Sequence, residues 1–219
     1  YRTEAAVGGD PEYIARATEL LLAAERPMAL VGSQYWWSRR RDALQGFLEA
    51  FQTPVFVNGM ARGAVDPENP LFFSRCRAQA LKEADVIIIF GTPLDFRIGY
   101  GRPPRVNEDA WLIQVDLDGG EIGRNRGVQV GIVGDTGLVM QQLTDSLGGR
   151  RAEPRDAWVS QLRHLEDRRL HEMSLEWNSD DVPVNPLRMC RELDAFIDDN
   201  TIVIGDGGDI VATGANIFK

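Results

Sequence analysis

The 219-residue sequence predicts an α/β protein with a Rossmann-like, three-layer α/β/α fold around a parallel sheet of about six strands. Short runs rich in Val and Ile alternate with amphipathic stretches of helical period. The apolar runs are also too continuous for a sheet with one face in water, which favours a sheet covered by helices on both faces. A truncated second α/β unit is expected at the C-terminal end.

The first part of the chain contains three predicted strands separated by helices. Asp10 is placed to cap a helix, and Pro11 suits the first turn of that helix. An apolar run at residues 28–31 then predicts the first strand. The amphipathic stretch RRDALQGFLEAF precedes a second strand, PVFV, at residues 54–57. The stretch AQALKEA predicts a helix, and DVIIIFG predicts the third strand.

Two more strands and a helix complete this unit. The segments AWLIQVD and VQVGIVGD predict the fourth and fifth strands. A helix is expected from about Thr136 to Leu147. We therefore assign residues 10–148 to a central nucleotide-binding-like domain, preceded by a linker at residues 1–9.

The character of the sequence changes after Gly148. A turn-rich junction, a long charged helix and the segment NSDDVPVNP predict a linker helix and loop over residues 149–184. Residues 185–219 predict a helix, a strand at 201–204 and the beginning of another helix. Because a sheet cannot be built from one strand, we expect this piece to be the truncated start of a second domain, and the chain to be part of a longer protein.

Composition excludes several classes of function. The net charge is −9, which argues against nucleic acid as a partner. No apolar run approaches the roughly 20 residues of a membrane span, and no signal peptide is evident.

Cys76 and Cys190 are expected to be buried free thiols in a reducing cytoplasm. His164 and His171 are expected on the surface, and the sequence predicts no metal site because no ligand cluster has the required spacing.

Polar, glycine-rich turns follow all five predicted strands of the central unit. Ligands of open parallel sheets gather at the carboxyl ends of the strands. Glycine permits close backbone approach, carboxylates accept hydrogen bonds from ribose, and arginine binds phosphate. As a set these turns predict a nucleotide-type pocket, although each residue alone is better explained as part of an ordinary βα connection. The candidate residues are Gly32, Ser33, Gln34, Asn58, Gly59, Met60, Gly91, Thr92, Asp95, Arg97, Asp116, Leu117, Asp118, Gly134 and Asp135.

Two common nucleotide motifs are missing from the sequence. The turn GSQYWW lacks the second and third glycines of a dinucleotide fingerprint, and no P-loop motif occurs. An NAD-dependent dehydrogenase and a P-loop ATPase are therefore disfavoured. Trp36 and Trp37 can stack on an adenine or a flavin, or pack against another domain, and packing is the preferred interpretation.

Five segments in this order resemble the central domain of thiamine-diphosphate-dependent enzymes of the acetolactate synthase type. The 2-hydroxyacyl-CoA lyase, oxalyl-CoA decarboxylase and benzaldehyde lyase branches share this domain. The resemblance covers residues 10 to about 143 and resumes near residue 185. The segments are specific as a set and weak singly: ERPMALVGS, TPVFVNGMARG, ALKEADVIIIFGTPLDFRIGYG, LIQVDLDGGEIGRNR and VGIVGDTG.

The resemblance implies a parent enzyme of three α/β domains, assembled as a homodimer or homotetramer. Two subunits share each thiamine diphosphate and its Mg²⁺, and on this pattern the sequence lacks the whole N-terminal pyrimidine-binding domain and nearly all of the C-terminal diphosphate-binding domain. The central domain carries FAD in the acetolactate synthases, ADP or part of CoA in the oxalyl-CoA branch, and no ligand in other members. On this resemblance the strand-end residues named above bind the cofactor.

Two departures from the family pattern put FAD in doubt. Flavin-binding members have Gly-Met-His-Gly after the second strand, where this chain has Leu71, Phe72 and Phe73. They also have an arginine at the position of Pro93. Since a close backbone approach and a cation are both lost, the resemblance leaves FAD, an ADP- or CoA-type ligand and an empty pocket open.

A Gly-Asp-Gly sequence at residues 205–207 matches the start of the family's metal-binding motif. In the family an Asn-Asn pair follows after a spacer of roughly 25 residues, whereas only twelve residues follow Gly207 here and none of them forms that pair. We therefore expect a look-alike and no metal site. The family's catalytic glutamate belongs to the absent first domain, so no catalytic residue is assigned and the fragment is expected to be inactive. The alternative is a free-standing nucleotide-binding or interaction module of the same fold.

Overall fold

The computed structural model describes residues 6–198 and 200–218, within which five parallel strands form one sheet. The order across the sheet is β2-β1-β3-β4-β5. The parallel α/β prediction is confirmed, with five strands instead of about six. The strands are β1 (Pro27–Val31), β2 (Val55–Val57), β3 (Val86–Phe90), β4 (Trp111–Asp116) and β5 (Val130–Val133).

Helices cover both faces of this sheet. Side chains of β1 and β3 point alternately into two separate apolar clusters, and both strands are buried along their whole length. One cluster is closed by α1, α3 and α5, and the other by α4 and α6. The helices are α1 (Pro11–Ala23), α2 (Gln34–Trp37), α3 (Ala43–Phe51), α4 (Arg77–Glu83), α5 (Thr136–Ser146), α6 (Asp156–Trp177), α7 (Pro186–Asp194) and α8 (Asp209–Gly214), with 3₁₀ turns at Gly59–Ala61 and Phe96–Gly101.

Side-chain caps begin three of these helices at positions that the sequence marks. The carboxylate of Asp10 accepts a hydrogen bond from the backbone N–H of Glu12, as the sequence predicts. Asp135 caps α5, and Asn185 caps α7 ahead of Pro186. These caps satisfy N–H groups that a helix cannot pair internally.

The strand predicted at residues 201–204 is wrong. These residues follow α7 and form no strand, and Ile202 and Ile204 are 87% and 89% exposed. No described strand lies beside them, and an extended segment without a neighbour has no ladder of hydrogen bonds to hold it. The helix predicted after this segment is present as α8, whereas the single turn α2 was not predicted.

A buried carboxylate on α6 joins this helix to the turn before α4. Glu166 accepts hydrogen bonds from the backbone N–H groups of Ser74 (3.0 Å), Arg75 (2.9 Å) and Cys76 (2.9 Å). The Ser74 hydroxyl lies 2.9 Å away and the Arg75 guanidinium 3.3 Å away. Burial alone would raise the pKa of the Glu166 carboxyl, but these hydrogen bonds outweigh it and the pKa is below its ordinary value.

The C-terminal segment packs on the end of α6 through a small apolar cluster. Its buried members are Met173, Cys190 and Ile217. Both cysteines of the chain are free and buried, as predicted, and burial raises the pKa of each thiol. His164 and His171 are exposed, also as predicted. None of the described helices has the length and apolar character needed to cross a membrane.

Candidate functional site

The strand order places a crevice at the carboxyl ends of β1 and β3. From β1 the chain turns to β2 on one side and later to β3 on the other, and such a reversal is where open α/β sheets bind ligands. Gly32 follows β1, and its N–H donates to the carbonyl of Phe90 at the end of β3 (2.7 Å). The predicted residues that directly follow the strands lie at this edge, whereas Asp95 and Arg97 lie further along the chain, before and within the 3₁₀ segment Phe96–Gly101.

Glycines at the crevice are required by the protein's own packing. A Cβ at Gly32 would lie 2.5 Å from the carbonyl oxygen of Gly91 and would overlap Thr92. Gly91 has a left-handed φ of 59°, and a Cβ there would overlap the Cβ of Gln34. The space that these Cβ atoms would fill is therefore already occupied by protein side chains.

The amide of Gln34 links the ends of β1 and β4. Its Nε2 donates to Asp116 Oδ1 (2.8 Å), and its Oε1 accepts from the N–H of Leu117 (3.1 Å). The same Asp116 oxygen accepts from the N–H of Asp118 (2.8 Å). Asp116 is 1% exposed. The Gln34 side chain thus already hydrogen-bonds to the Asp116 carboxylate and to the backbone of Leu117 at the end of β4.

Two buried oxygen atoms near this edge lack a hydrogen-bond partner among the described residues. They are Oδ2 of Asp116 and Oγ1 of Thr136. A buried polar atom without a partner is uncommon in folded proteins and calls for a water molecule, an ion or a ligand. Thr136 was not among the predicted site residues; its position as the first residue of a helix that follows a strand is the signal that would have found it.

At the end of β2, a second turn packs against the β1 turn. Asn58 donates its N–H to the carbonyl of Val31 (2.8 Å). The hydroxyl of Ser33 accepts a hydrogen bond from the N–H of Met60 (3.2 Å). Gly59 has a φ of 55°, and a Cβ there would overlap that hydroxyl. These contacts fix the turn and leave the Met60 side chain exposed.

At the end of β3, the predicted phosphate-binding arginine is paired with a carboxylate. Arg97 donates from Nε (2.9 Å) and Nη2 (2.6 Å) to Oδ2 of Asp95. The side-chain hydrogen bond from Arg97 lowers the pKa of the Asp95 carboxyl and keeps it ionised. An incoming phosphate would therefore compete with Asp95 for this guanidinium.

At the end of β5, Asp135 acts as a helix cap. Its Oδ1 accepts from the N–H of Leu138 (3.0 Å) and from the hydroxyl of Ser38 (2.6 Å). Gly134 donates its N–H to the carbonyl of Asp116 (2.9 Å), which ties this turn to β4. The end of β5 therefore stabilises the edge, and the Asp135 carboxylate already accepts hydrogen bonds from within the protein.

Four aromatic side chains in the segments that follow β1 and β3 are exposed. Trp36 and Trp37 are 49% and 72% exposed, and Arg41 stacks over the Trp36 ring at 5.0 Å. Phe96 and Tyr100, which the sequence analysis did not single out, are 69% and 49% exposed. Flat apolar surfaces beside hydrogen-bonding turns can stack on a nucleotide base.

Two grooves of the described residues lie away from this edge: one of about 600 Å³ beside Trp111 and Arg16, and one of about 330 Å³ beside Arg77. Within residues 6–198 and 200–218, no group of three or more His, Cys, Asp or Glu side chains is arranged to hold a metal ion.

Residues 14–143 match the family model described as thiamine pyrophosphate enzyme, central domain. A probable acetolactate synthase of Mycobacterium bovis is 34% identical over 209 residues, which cover 94% of this chain and 37% of that protein. The 2-hydroxyacyl-CoA lyase 2 of Caenorhabditis elegans is 31% identical over 215 residues, covering 95% of this chain and 33% of that enzyme. The human 2-hydroxyacyl-CoA lyase 2 is 33% identical over 216 residues, with the same coverage.

The chain spans about a third of the length of these curated relatives. The matched span begins in α1 and ends in α5, so it contains the whole sheet and its carboxyl edge. This sheet, its edge and the match together confirm the resemblance inferred from the sequence: the chain belongs to the family of thiamine pyrophosphate (thiamine diphosphate) enzymes and contains their central domain.

Proposed function

We propose that this chain is the middle part of an enzyme that makes or breaks a carbon–carbon bond next to a carbonyl group. Residues 10–148 are its central domain, residues 149–184 a linker, and residues 185–219 the beginning of its diphosphate-binding domain. The names of the relatives support this assignment, since both acetolactate synthases and 2-hydroxyacyl-CoA lyases are among them. The parent enzyme is proposed to be a cytoplasmic homo-oligomer.

Thiamine diphosphate with Mg²⁺ supplies the carbanion chemistry of such an enzyme. We place neither group on this chain, because its described residues offer no cluster of metal ligands. Asp206, in the Gly-Asp-Gly sequence, lies in an exposed stretch. The role of the chain is to bind and position, and no residue of it is assigned to catalysis.

The single observation that carries a ligand-binding role is the arrangement of polar groups at the end of β4. The unpartnered Oδ2 of Asp116 lies in the same turn as the exposed side chains of Leu117 and Asp118. A carboxylate at this position of a parallel sheet accepts hydrogen bonds from ribose hydroxyls. The residues therefore fit the adenosine part of a nucleotide if the Gln34 amide moves away from Asp116 and Leu117 or shares these two partners with the ligand.

The structure supports an ADP- or CoA-type ligand over FAD. Leu71 and Phe73 are buried, and Phe72 forms an isolated bridge with Val55 of β2. The segment that carries the Gly-Met-His-Gly of flavin-binding members is thus packed against the sheet here. The side chains of Leu71 and Phe73, with the backbone between them, would have to leave the core to make room for a flavin.

Ligand analysis of the purified chain tests this proposal. We expect ADP or CoA to bind and the absorbance spectrum to show no flavin band. Asp118→Asn should weaken ADP binding about tenfold, the loss of a hydrogen bond to a charged group. Asp109→Asn, which changes an exposed carboxylate in the loop before β4, is the matched control. Equal ADP affinity in both variants, or a flavin that co-purifies, would contradict the proposal.

A separate assay tests the absence of catalysis. The 219-residue chain with thiamine diphosphate, Mg²⁺ and either pyruvate or a 2-hydroxyacyl-CoA should give no turnover above background. Measurable turnover would refute the assignment of the catalytic groups to other domains. The alternative of a self-contained binding module is disfavoured by the exposed apolar run at residues 201–204, for which such a module has no evident use.

A further inference from the structure

A polar groove lies between the turn before α4 and the helices α6 and α7, at the junction with the C-terminal segment. Its volume is about 330 Å³, and it is separate in its lining residues from the strand-end turns described above. Three arginines line it, together with polar and apolar side chains; its polar lining residues are Arg75, Arg77, Arg169, Ser74, Glu176 and Asn216.

Arg75 is fixed in position at one wall of this groove. Its Nη1 contacts Oε1 of Glu166 (3.3 Å) and the hydroxyl of Ser74 (3.1 Å), and its Nη2 donates to the carbonyl of Asn216 (3.2 Å). Nε of Arg75 is buried and has no hydrogen-bond partner among the described residues. One N–H of a preorganised guanidinium is therefore left unpaired.

Arg77, by contrast, has no carboxylate partner among the described residues. Its side chain is half-buried, and burial lowers the pKa of the guanidinium. The positive charge of Arg62 lowers that pKa further. Arg62 donates to the carbonyl of Ala215 (3.1 Å) and likewise makes no ion pair within the described chain. The positive charge of Arg77 in the wall of the groove is thus not balanced by a carboxylate within the described residues.

An oxyanion in the groove would balance the charge of Arg77 and accept hydrogen bonds from its guanidinium group. Guanidinium groups match phosphate oxygens in geometry and charge. The groove is far larger than the roughly 30 Å³ that one water molecule occupies in the liquid. We propose that this groove binds a phosphate-type oxyanion between Arg75 and Arg77, either as free phosphate or as the phosphate group of a larger ligand.

Glu176 provides a test in which a substitution should strengthen phosphate binding instead of weakening it. This exposed carboxylate also lines the groove, and it opposes the binding of an anion. Removal of its charge should strengthen phosphate binding, whereas removal of the Arg77 charge should weaken it. Damage to the fold cannot produce both effects. The proposal does not depend on the nucleotide proposed for the carboxyl edge of the sheet.

Isothermal titration calorimetry of the full chain at low ionic strength tests the site with inorganic phosphate. We expect binding in the millimolar range or tighter. Arg77→Gln should weaken it about tenfold or more, the loss of a charged hydrogen-bonding partner. Glu176→Gln should strengthen it about two- to fivefold. Arg168→Gln, which changes an exposed arginine of α6 that does not line the groove, should leave the affinity unchanged.

Two additional measurements complete the test. If Arg77→Gln does not fold, the Nε–Hε resonances of the unmodified chain replace it: phosphate should shift those of Arg75 and Arg77 and leave that of Arg168 in place. Titration with pyrophosphate separates the two sources, because a preference for pyrophosphate indicates a larger ligand and equal affinity indicates free phosphate. Absence of binding, or equal phosphate affinity in folded Arg77→Gln, overturns the proposal.

Discussion

Substitution of Glu166 by alanine should be the most destabilising single change on α6. The side chain is 8% exposed and accepts hydrogen bonds from three backbone N–H groups and a hydroxyl, besides its ion pair with Arg75. Alanine would leave those donors and the mostly buried Arg75 charge without their acceptor. Removal of one partner of a buried ion pair costs about 3–5 kcal/mol.

The isosteric change Glu166→Gln separates charge from shape. Glutamine keeps one acceptor oxygen and the packing volume, so we expect a loss of about 1–3 kcal/mol, the difference between charged and neutral hydrogen bonds summed over the site. Glu172→Ala on the same helix is the control. Glu172 and its partner Arg169 are both about half exposed, and this change should cost less than about 1 kcal/mol.

Urea unfolding followed by circular dichroism measures these differences, and the pH dependence gives a second criterion. Because the pKa of Glu166 is lowered in the folded state, its stabilisation is complete above the ordinary carboxyl pKa of 4.5 and disappears as the pH falls through the folded-state pKa. The stability gap between the unmodified chain and Glu166→Gln should therefore be constant near neutral pH and shrink in acid. A loss for Glu166→Ala no larger than that for Glu172→Ala would refute this reasoning.

Two further substitutions test the packing of the carboxyl edge. Gly91→Ala should lower the unfolding free energy by at least about 1–3 kcal/mol, because Gly91 has a left-handed φ and a Cβ there would overlap Gln34. Gly46→Ala, at an open position inside α3, should raise the unfolding free energy by up to about 1 kcal/mol. Thermal unfolding of both variants checks the sign of each change, and a loss of stability in both would contradict the prediction. Asp135→Ala should cost about 1–2 kcal/mol by removing the α5 cap, and Asp135→Asn, which retains an acceptor, should cost less; equal losses would show that the cap is not the cause.

Local patterns were sufficient to locate the strands of the sheet. Apolar runs correspond to all five strands, and they end in glycine or aspartate in four of them and in Asn58 after β2, because a strand buried on both faces needs such a composition. The same pattern failed at residues 201–204, since composition reports the preference of a segment and not the presence of a neighbour to pair with. The strand order depends on long-range contacts and was likewise beyond the reach of these patterns.

The candidate site was predicted in position but not in its internal contacts. Spacing alone placed Gln34 in the turn after β1, where the structure also has it, and Asp95 and Arg97 after β3, where they cap and begin a 3₁₀ segment. It gave no indication that Gln34 bridges to Asp116, or that Arg97 pairs with Asp95. It also missed Glu166, because a glutamate in a charged helix looks solvent-exposed until the turn that it faces is known.

The three apolar clusters differ greatly in size, and this difference sets the order in which parts of the protein unfold locally. Two extensive clusters enclose the sheet, whereas Met173, Cys190 and Ile217 alone form the buried part of the third. Amide protons of α7 and α8 should therefore exchange with solvent long before those of β1 and β3, through fluctuations that leave the sheet intact. The end of the chain would behave as a separate, weaker cooperative unit, able to reorient while the sheet beneath it stays folded.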